Sequence, residues 1–413
     1  MTTRTRLAIL LALTTLAAGA CGGGEQRSTP TTIVSTTAAP APPDSTSAPA
    51  ATDPTSTAAP DPTSAPGSTA APDPTSAPGS TAAPDATTST TAPPVGATVT
   101  TTTAGPWMGA HHPLTGLPAT SGVSRLPALA VKIGNNDTRS LPQVGLEQAD
   151  IVYEAHIENN VTRFVAVFHS RVPDKIGLVR SARSSDIDLI GNLNMPYFAY
   201  WGSNEGVGAE VREAESSGTF VGRSTSGTGQ ENFFRDDSRG SSPFNGFLDA
   251  PRLLRGATGV EPDPVFDYGP LPASAVPAAG VRWSTPGRQI DYVWDYPSSR
   301  WLRFQGGVPL LDADGVQHGA DNVLLLYIDY RVSDADRESP QALTTGNGDG
   351  WLLREGTVTG VTWGRPFVAN AWHLADDDTG EIVMLVPGTT WVALARLGEG
   401  KILDASEAAA LTG

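Results

Sequence analysis

The chain carries 413 residues, 43 of them Asp or Glu against 27 Lys or Arg, for a formal charge of -16. That balance excludes general adhesion to nucleic acid or to an anionic lipid surface, because both need a basic face. The single cysteine, Cys21, leaves the rest of the chain without disulfides, a cysteine metal site or a thiol nucleophile.

Residues 1–21 have the grammar of a bacterial lipoprotein signal. Arg4 and Arg6 give a basic start, Leu7 to Leu16 an apolar run, and Ala17-Ala18-Gly19-Ala20 a small-residue stretch before Cys21. The run is shorter than the roughly 20 apolar residues a membrane span needs. Ala18-Gly19-Ala20 also suits ordinary secretory cleavage, and Ala18 stands where lipoprotein signals favour Leu. An unpaired thiol opening an exported chain is a poor choice in an oxidising compartment. Cys21 is therefore expected to carry lipid, which puts the protein outside the cytoplasm and on the cell membrane.

Residues 22–105 form a Thr/Ala/Pro-rich tract in which one unit, Ser56 to Gly67, repeats at Ser68 to Gly79. So polar and Pro-rich a segment buries too little apolar surface to offset the entropy of ordering. It is expected to act as a disordered tether. Fully stretched in polyproline II form it reaches roughly 260 Å, and as a flexible coil about 50 Å.

Two domains are expected beyond it, 106–277 and 278–413. In the first, strands are expected at Leu129 to Gly134, Ala149 to Glu158, Thr162 to Ser170, Ile176 to Val179 and Tyr197 to Gly202. Helices are expected from Ser184 or Ser185 to about Leu193 and from Glu205 to Ser216. This part is mixed α/β. An irregular Gly/Pro-rich connector, Gly218 to Pro277, follows. Strand signals dominate the second part: Val281 to Trp283, Tyr292 to Trp294, Trp301 to Phe304, Val323 to Tyr330, Thr357 to Trp363, Ala371 to Leu374, Ile382 to Val386 and Trp391 to Leu394. The fold class is α+β, with a mixed N-terminal lobe and a β-rich, mostly antiparallel C-terminal lobe.

A series of motifs runs through the same region. Pro113-Leu114-Thr115-Gly116-Leu117 opens it, then Pro142 to Leu146, Gln148 to Glu154, Thr162-Arg163-Phe164 and Ile176 to Arg183. Phe234-Arg235-Asp236 and Pro387-Gly388-Thr389-Thr390-Trp391 complete it. In order and content the series resembles the YerB-like bacterial lipoproteins, a two-part domain family of unknown function. The resemblance covers the chain from His111 onward and implies a cell-surface lipoprotein, with no established reaction. Two positions depart from the family pattern. Gly134-Asn135-Asn136 stands where Asp-Asn-His is usual, and Pro243-Phe244-Asn245 where Pro-His-Asn is usual. Any catalytic role of those histidines is absent here.

The candidate ligand-binding set is Asp150, Glu154, Arg163, Arg180, Ser181 and Arg183. A hairpin centred on Asn159-Asn160 sets Glu158 opposite or near Arg163, and Glu154 nearer Ala166 to Phe168. Arg180 and Arg183, at a strand end before a helix start, suit a carboxylate or phosphate. The competing reading is an ion-pair network locking the strand ends, since buried charges need partners. Glu154 with Asp150 or Asp186 is an acid/base candidate for glycan cleavage.

Other motifs carry less. The six histidines form no metal-ligand unit, Asp312-Ala313-Asp314-Gly315 lacks the closing Glu of a calcium loop, and no cofactor is called for. Thr345 to Gly350 reads as a tight inter-strand loop. Trp283, Trp294, Trp301, Trp351, Trp363, Trp372 and Trp391 read as core, or as platforms for sugar rings. The leading expectation is a non-enzymatic, lipid-anchored envelope protein that binds a wall component or protein partner. The alternative is an envelope hydrolase acting on glycan or peptide through Glu154 and nearby carboxylates.

Overall fold

A computed structural model describes residues 110–413. The expected lipid site at Cys21 and the expected tether at 22–105 lie outside the described residues.

Leu129–Gly134 (β1), Ile151–His156 (β2) and Thr162–Phe168 (β3) are buried at every position. Strands covered on both faces need apolar residues at both parities, and these largely supply them. The turn between β2 and β3 is made by Asn159 and Asn160, at φ 64° and 55°. Asparagine tolerates that left-handed region better than most side chains. Lys175–Gly177 (β4), the helix Ser184–Ile190 (α1), Tyr197–Tyr200 (β5) and the helix Glu205–Ser216 (α2) follow. Asn204 caps α2 by accepting from the Val207 backbone N–H at 2.9 Å, and Val207, Val211 and Ala214 make its buried stripe.

The connector expected to be irregular contains Val221–Ser224 (β6), Phe233–Arg235 (β7), Gly246–Asp249 (β8) and the helix Ala250–Leu254 (α3). The later strands are Gly280–Thr285 (β9), Arg288–Asp295 (β10), Arg300–Gln305 (β11), Asn322–Tyr327 (β12), Gly346–Arg354 (β13), Thr357–Arg365 (β14), His373–Asp376 (β15), Thr390–Ala395 (β16) and Gly400–Leu403 (β17). The helix Ala405–Thr412 (α4) ends the chain. Further two- and three-residue pairings are named by residue.

One sheet runs β15-β14-β13-β12-β16-β2-β3-β1-β5-β6, with Val276–Pro277 added on β14 as its eleventh strand. It joins strands from both expected domains, because β16 lies parallel to β12 on one side and β2 on the other. A second sheet of β11, β10, β9 and β17, widened by short pairings at 308–309 and 319–320, is antiparallel. The two faces of the large sheet bury different partners. Ala130, Ile151, Tyr153, Val165 and Val167 pack with α1 and α2 through Leu189, Ile190, Val207 and Val211. Leu129, Val131, Val152, Phe164 and Phe168 pack with Val281, Trp283, Ile290 and Trp301 of the second sheet. At about 1.5–3 kcal/mol for each large apolar side chain fully buried, these two layers carry the fold without a disulfide. The architecture is α+β, as expected.

Three local readings are corrected. Gly346 to Gly350 is the start of β13, not a loop. The glycines stand there because a Cβ on Gly348 would lie 2.8 Å from the Trp363 indole nitrogen, and one on Gly350 2.7 Å from the Leu325 carbonyl. Ile382 to Val386 forms only isolated bridges, Ala375 with Ile382 and Tyr268 with Leu385. Glu154 pairs with Phe164 and Arg163 with Ala155. Asp312 to Gly315 is a turn, closed by the Leu311–Gln317 bridge with Gly315 at φ 79°. Trp283, Trp301, Trp363, Trp372 and Trp391 are buried, which is the core reading.

Candidate anion-binding site

Side-chain alternation along β2 and β3 divides the expected site residues. Glu154 shares the parity of Val152 and so faces the second sheet. Arg163 shares that of Val165 and faces the helices. The two cannot meet.

On the sheet-facing side, Glu154 is fully buried and meets Arg303 of β11 twice, at 3.0 Å through Oε1 and 2.8 Å through Oε2. Thr162 Oγ1 donates to the same carboxylate at 2.6 Å and Asn135 Nδ2 at 3.1 Å. Arg303 also donates to the Tyr292 hydroxyl at 2.6 Å and lies 4.7 Å from the Trp391 ring centre. Burial opposes the Arg303 charge, but Glu154 and Tyr292 outweigh it and raise its pKa. Asp150 lies at the opposite end of the hairpin. It accepts from the His169 and Ser170 backbone N–H groups at 2.7 and 2.8 Å, and burial raises its pKa. It closes the end of β3 and is remote from the arginines.

On the helix-facing side, Arg163 donates to Glu158 Oε1 and to the Ser181 carbonyl, both at 3.3 Å. Arg183 Nε donates to Glu158 Oε2 at 2.9 Å, and its Nη2 also contacts Glu158 Oε1. Burial alone would raise the Glu158 pKa, yet the Arg183 hydrogen bond and the Arg163 and Arg183 charges hold it at about 2. Beside this trio, Lys132 and Asp186 form a buried ion pair at 2.5 Å, in which burial lowers the lysine pKa. Asp186 accepts from the Arg183 backbone N–H at 2.8 Å, so the start of α1 is closed by its own chain. Arg163, Arg183 and Glu158 thus form one ion-pair network.

Arg180 and Ser181 are placed differently. They line a cavity of about 270 Å³ with Val179, Trp201, Arg235 and Pro243. The small sheet β4-β8-β7 brings Arg235, at the end of β7, beside the segment that follows β4. Arg235 lies 4.6 Å from the Trp201 ring centre and donates to Asn245 Oδ1 at 2.6 Å. Arg180 donates to the Pro243 carbonyl at 2.8 Å and rests on Phe244, which also carries Arg139 at 4.1 Å. Phe244 is the position where a histidine was expected from the resemblance. Burial, then the Arg183 charge, lowers the Arg180 pKa. Neither Arg180 nor Arg235 has a carboxylate within ion-pair distance among the described residues, and none lines the cavity. Arg235 and Trp201 were not singled out from the sequence. The signal for Arg235 was its place in the Phe234-Arg235-Asp236 motif.

Two family descriptions match in order: "Protein of unknown function (DUF3048) N-terminal domain" over residues 114–262 and its C-terminal domain over 280–392. The chain belongs to the YerB-like family. It is 27% identical to the candidate lipoprotein YerB of Bacillus subtilis (strain 168) over 291 residues, 68% of this chain and 84% of that one. The crystal structure of Bacillus subtilis YerB superposes with a TM-score of 0.62 at 24% identity, covering 71% of this chain and all of that one. The YerB-like fold is therefore common to both, and the cleft lies within the N-terminal family region.

Proposed function

We propose that this YerB-like protein is a lipid-anchored envelope protein that binds an anionic group, a carboxylate or phosphate, of a cell-wall component in the Arg180/Ser181/Arg235 cleft. The observation that carries the reading is two guanidinium groups converging on one cavity that no carboxylate lines, in a protein of charge -16. Guanidinium groups recognise planar anions by paired hydrogen bonds, and Arg180 and Arg235 hydrogen-bond only a carbonyl and an amide, with Asp137 and Glu158 acting on Arg180 from beyond ion-pair distance. The anchor rests on Cys21 and on the description of the Bacillus relative as a candidate lipoprotein. No helix among the described residues is long and apolar enough to cross a membrane. The tether expected from the sequence of residues 22–105 fits this role, because a linker sets reach and local concentration. Hydrolysis through Glu154 needs an acid that substrate can touch, and Glu154 is sealed and paired with Arg303.

The test is incubation of the full chain, in detergent micelles, with purified peptidoglycan. Cosedimentation without released fragments is expected. Fragment release that Glu154→Gln abolishes overturns the binding reading.

A further inference from the structure

A second cavity, of about 290 Å³, lies on the far side of the Arg163–Glu158–Arg183 network. Three arginines line it: Arg331 and Arg337 from the 330–342 hairpin and Arg396 from the turn after β16. Arg331 donates to Gln341 Oε1 at 3.1 Å and stands 3.7 Å from exposed Asp334. Arg396 lies 5.0 Å from the Tyr330 ring centre and 3.9 Å from Glu399. Pairs at such distances on the surface are weak. Arg337 is exposed and has no described partner. Of the two acids in the lining, Glu158 is already neutralised by Arg163 and Arg183, which leaves Glu338 against three cations. Asn159, Asn160 and Ser339 add neutral hydrogen-bonding groups.

The two cavities are linked through three residues. Ser181 lines the first, its carbonyl accepts from Arg163, Arg163 pairs with Glu158, and Glu158 lines the second. We infer that the second cavity is another anion subsite, and that the ligand is a linear anionic glycan whose acidic groups occupy both. The inference rests on the proposed role of the Arg180/Arg235 cleft and extends it from one anionic group to a polymer. A glycan fits because Ser181 and the Trp201 ring accompany the arginines of the first cavity, and Asn159, Asn160 and Ser339 those of the second, which suits hydroxyl-rich rings between the charges. Linking two subsites through one ligand raises affinity without new contacts.

The test is titration of the full chain with galacturonate and with its oligomers of increasing length, beside polyglutamate of matched charge. Oligomers are expected to bind at least about tenfold tighter than the monomer, and Arg337→Ala combined with Arg331→Ala is expected to remove that gain. Equal affinity for monomer and oligomer overturns the second subsite while leaving the first intact. Length-dependent binding of polyglutamate alone overturns the glycan assignment. Failure of every uronate to bind overturns the acidic-glycan assignment, and the cleft itself falls only if the full chain also fails to sediment with peptidoglycan.

Discussion

Glu154→Gln separates a structural from a catalytic role for a fully buried acid of the expected site. The substitution keeps the shape of the side chain and removes one charge. Arg303 then remains fully buried, with the Tyr292 hydroxyl at 2.6 Å and Gln305 Oε1 at 3.1 Å as neutral partners. Removing one member of a buried pair costs about 3–5 kcal/mol, because the other charge is left uncompensated. Both side chains are at most 1% exposed, so solvent offers no screening. The same range is expected for Arg303→Met. Their combination is expected to be less costly than the sum, with a coupling of up to about 3 kcal/mol. Urea unfolding of the four proteins measures the cycle. A Glu154→Gln protein destabilised by less than about 1 kcal/mol, or additive single effects, would refute the reasoning.

Glu158 supplies a pH signature. Its pKa falls from an ordinary 4.5 to about 2 in the folded state, so its stabilisation is complete above the ordinary value and is lost as pH falls through 4.5 towards 2. The gap in melting temperature between the wild type and Glu158→Gln should close across that window, and a constant gap excludes the Arg163–Glu158–Arg183 network as its source. Gly388, inside the Pro-Gly-Thr-Thr-Trp motif, has φ 154°, and a Cβ there would lie 2.3 Å from Asp321 Cγ. Asp321 cannot withdraw freely, because it accepts from the Thr389 N–H at 2.6 Å. Gly388→Ala should therefore cost about 1–3 kcal/mol in unfolding experiments, whereas Gly240→Ala, with φ 120° but nothing within 4 Å, tests the backbone term alone.

The local elements were legible because their patterns are strong. The helix Glu205–Ser216 was read with the bounds it has, and the structure adds Asn204 as its cap and a buried stripe of Val207, Val211 and Ala214. Strands β1 to β3 were visible as apolar runs, but their pairing into one sheet with β16 was not. β16 lies more than 200 residues further along the chain, and nothing local encodes a parallel partner at that distance. The same limit hid the partner of Glu154, which comes from a different sheet. The separation of Glu154 from Arg163 was, by contrast, implicit in the hairpin. Paired strands share faces by register, and these residues fall at opposite parities for a turn at Asn159. Arg235 escaped notice because the short β4-β8-β7 sheet brings it beside Arg180, and Trp201 because it reaches Arg180 only through its backbone N–H on the Arg180 carbonyl at the end of β5. Glycine-rich β13 was misread because its cause, the close approach of Trp363, is tertiary.

The central claim is tested most directly by peptidoglycan cosedimentation of the Arg180→Ala/Arg235→Ala double variant beside the wild type, with urea unfolding of both. Neither arginine takes part in an ion pair among the described residues. Their hydrogen bonds to Pro243 and Asn245 and their ring contacts are lost, so unfolding is expected to shift by no more than about 3 kcal/mol, while binding is lost and wild-type binding weakens with added salt. A double variant that remains folded and sediments as fully as the wild type would contradict the account.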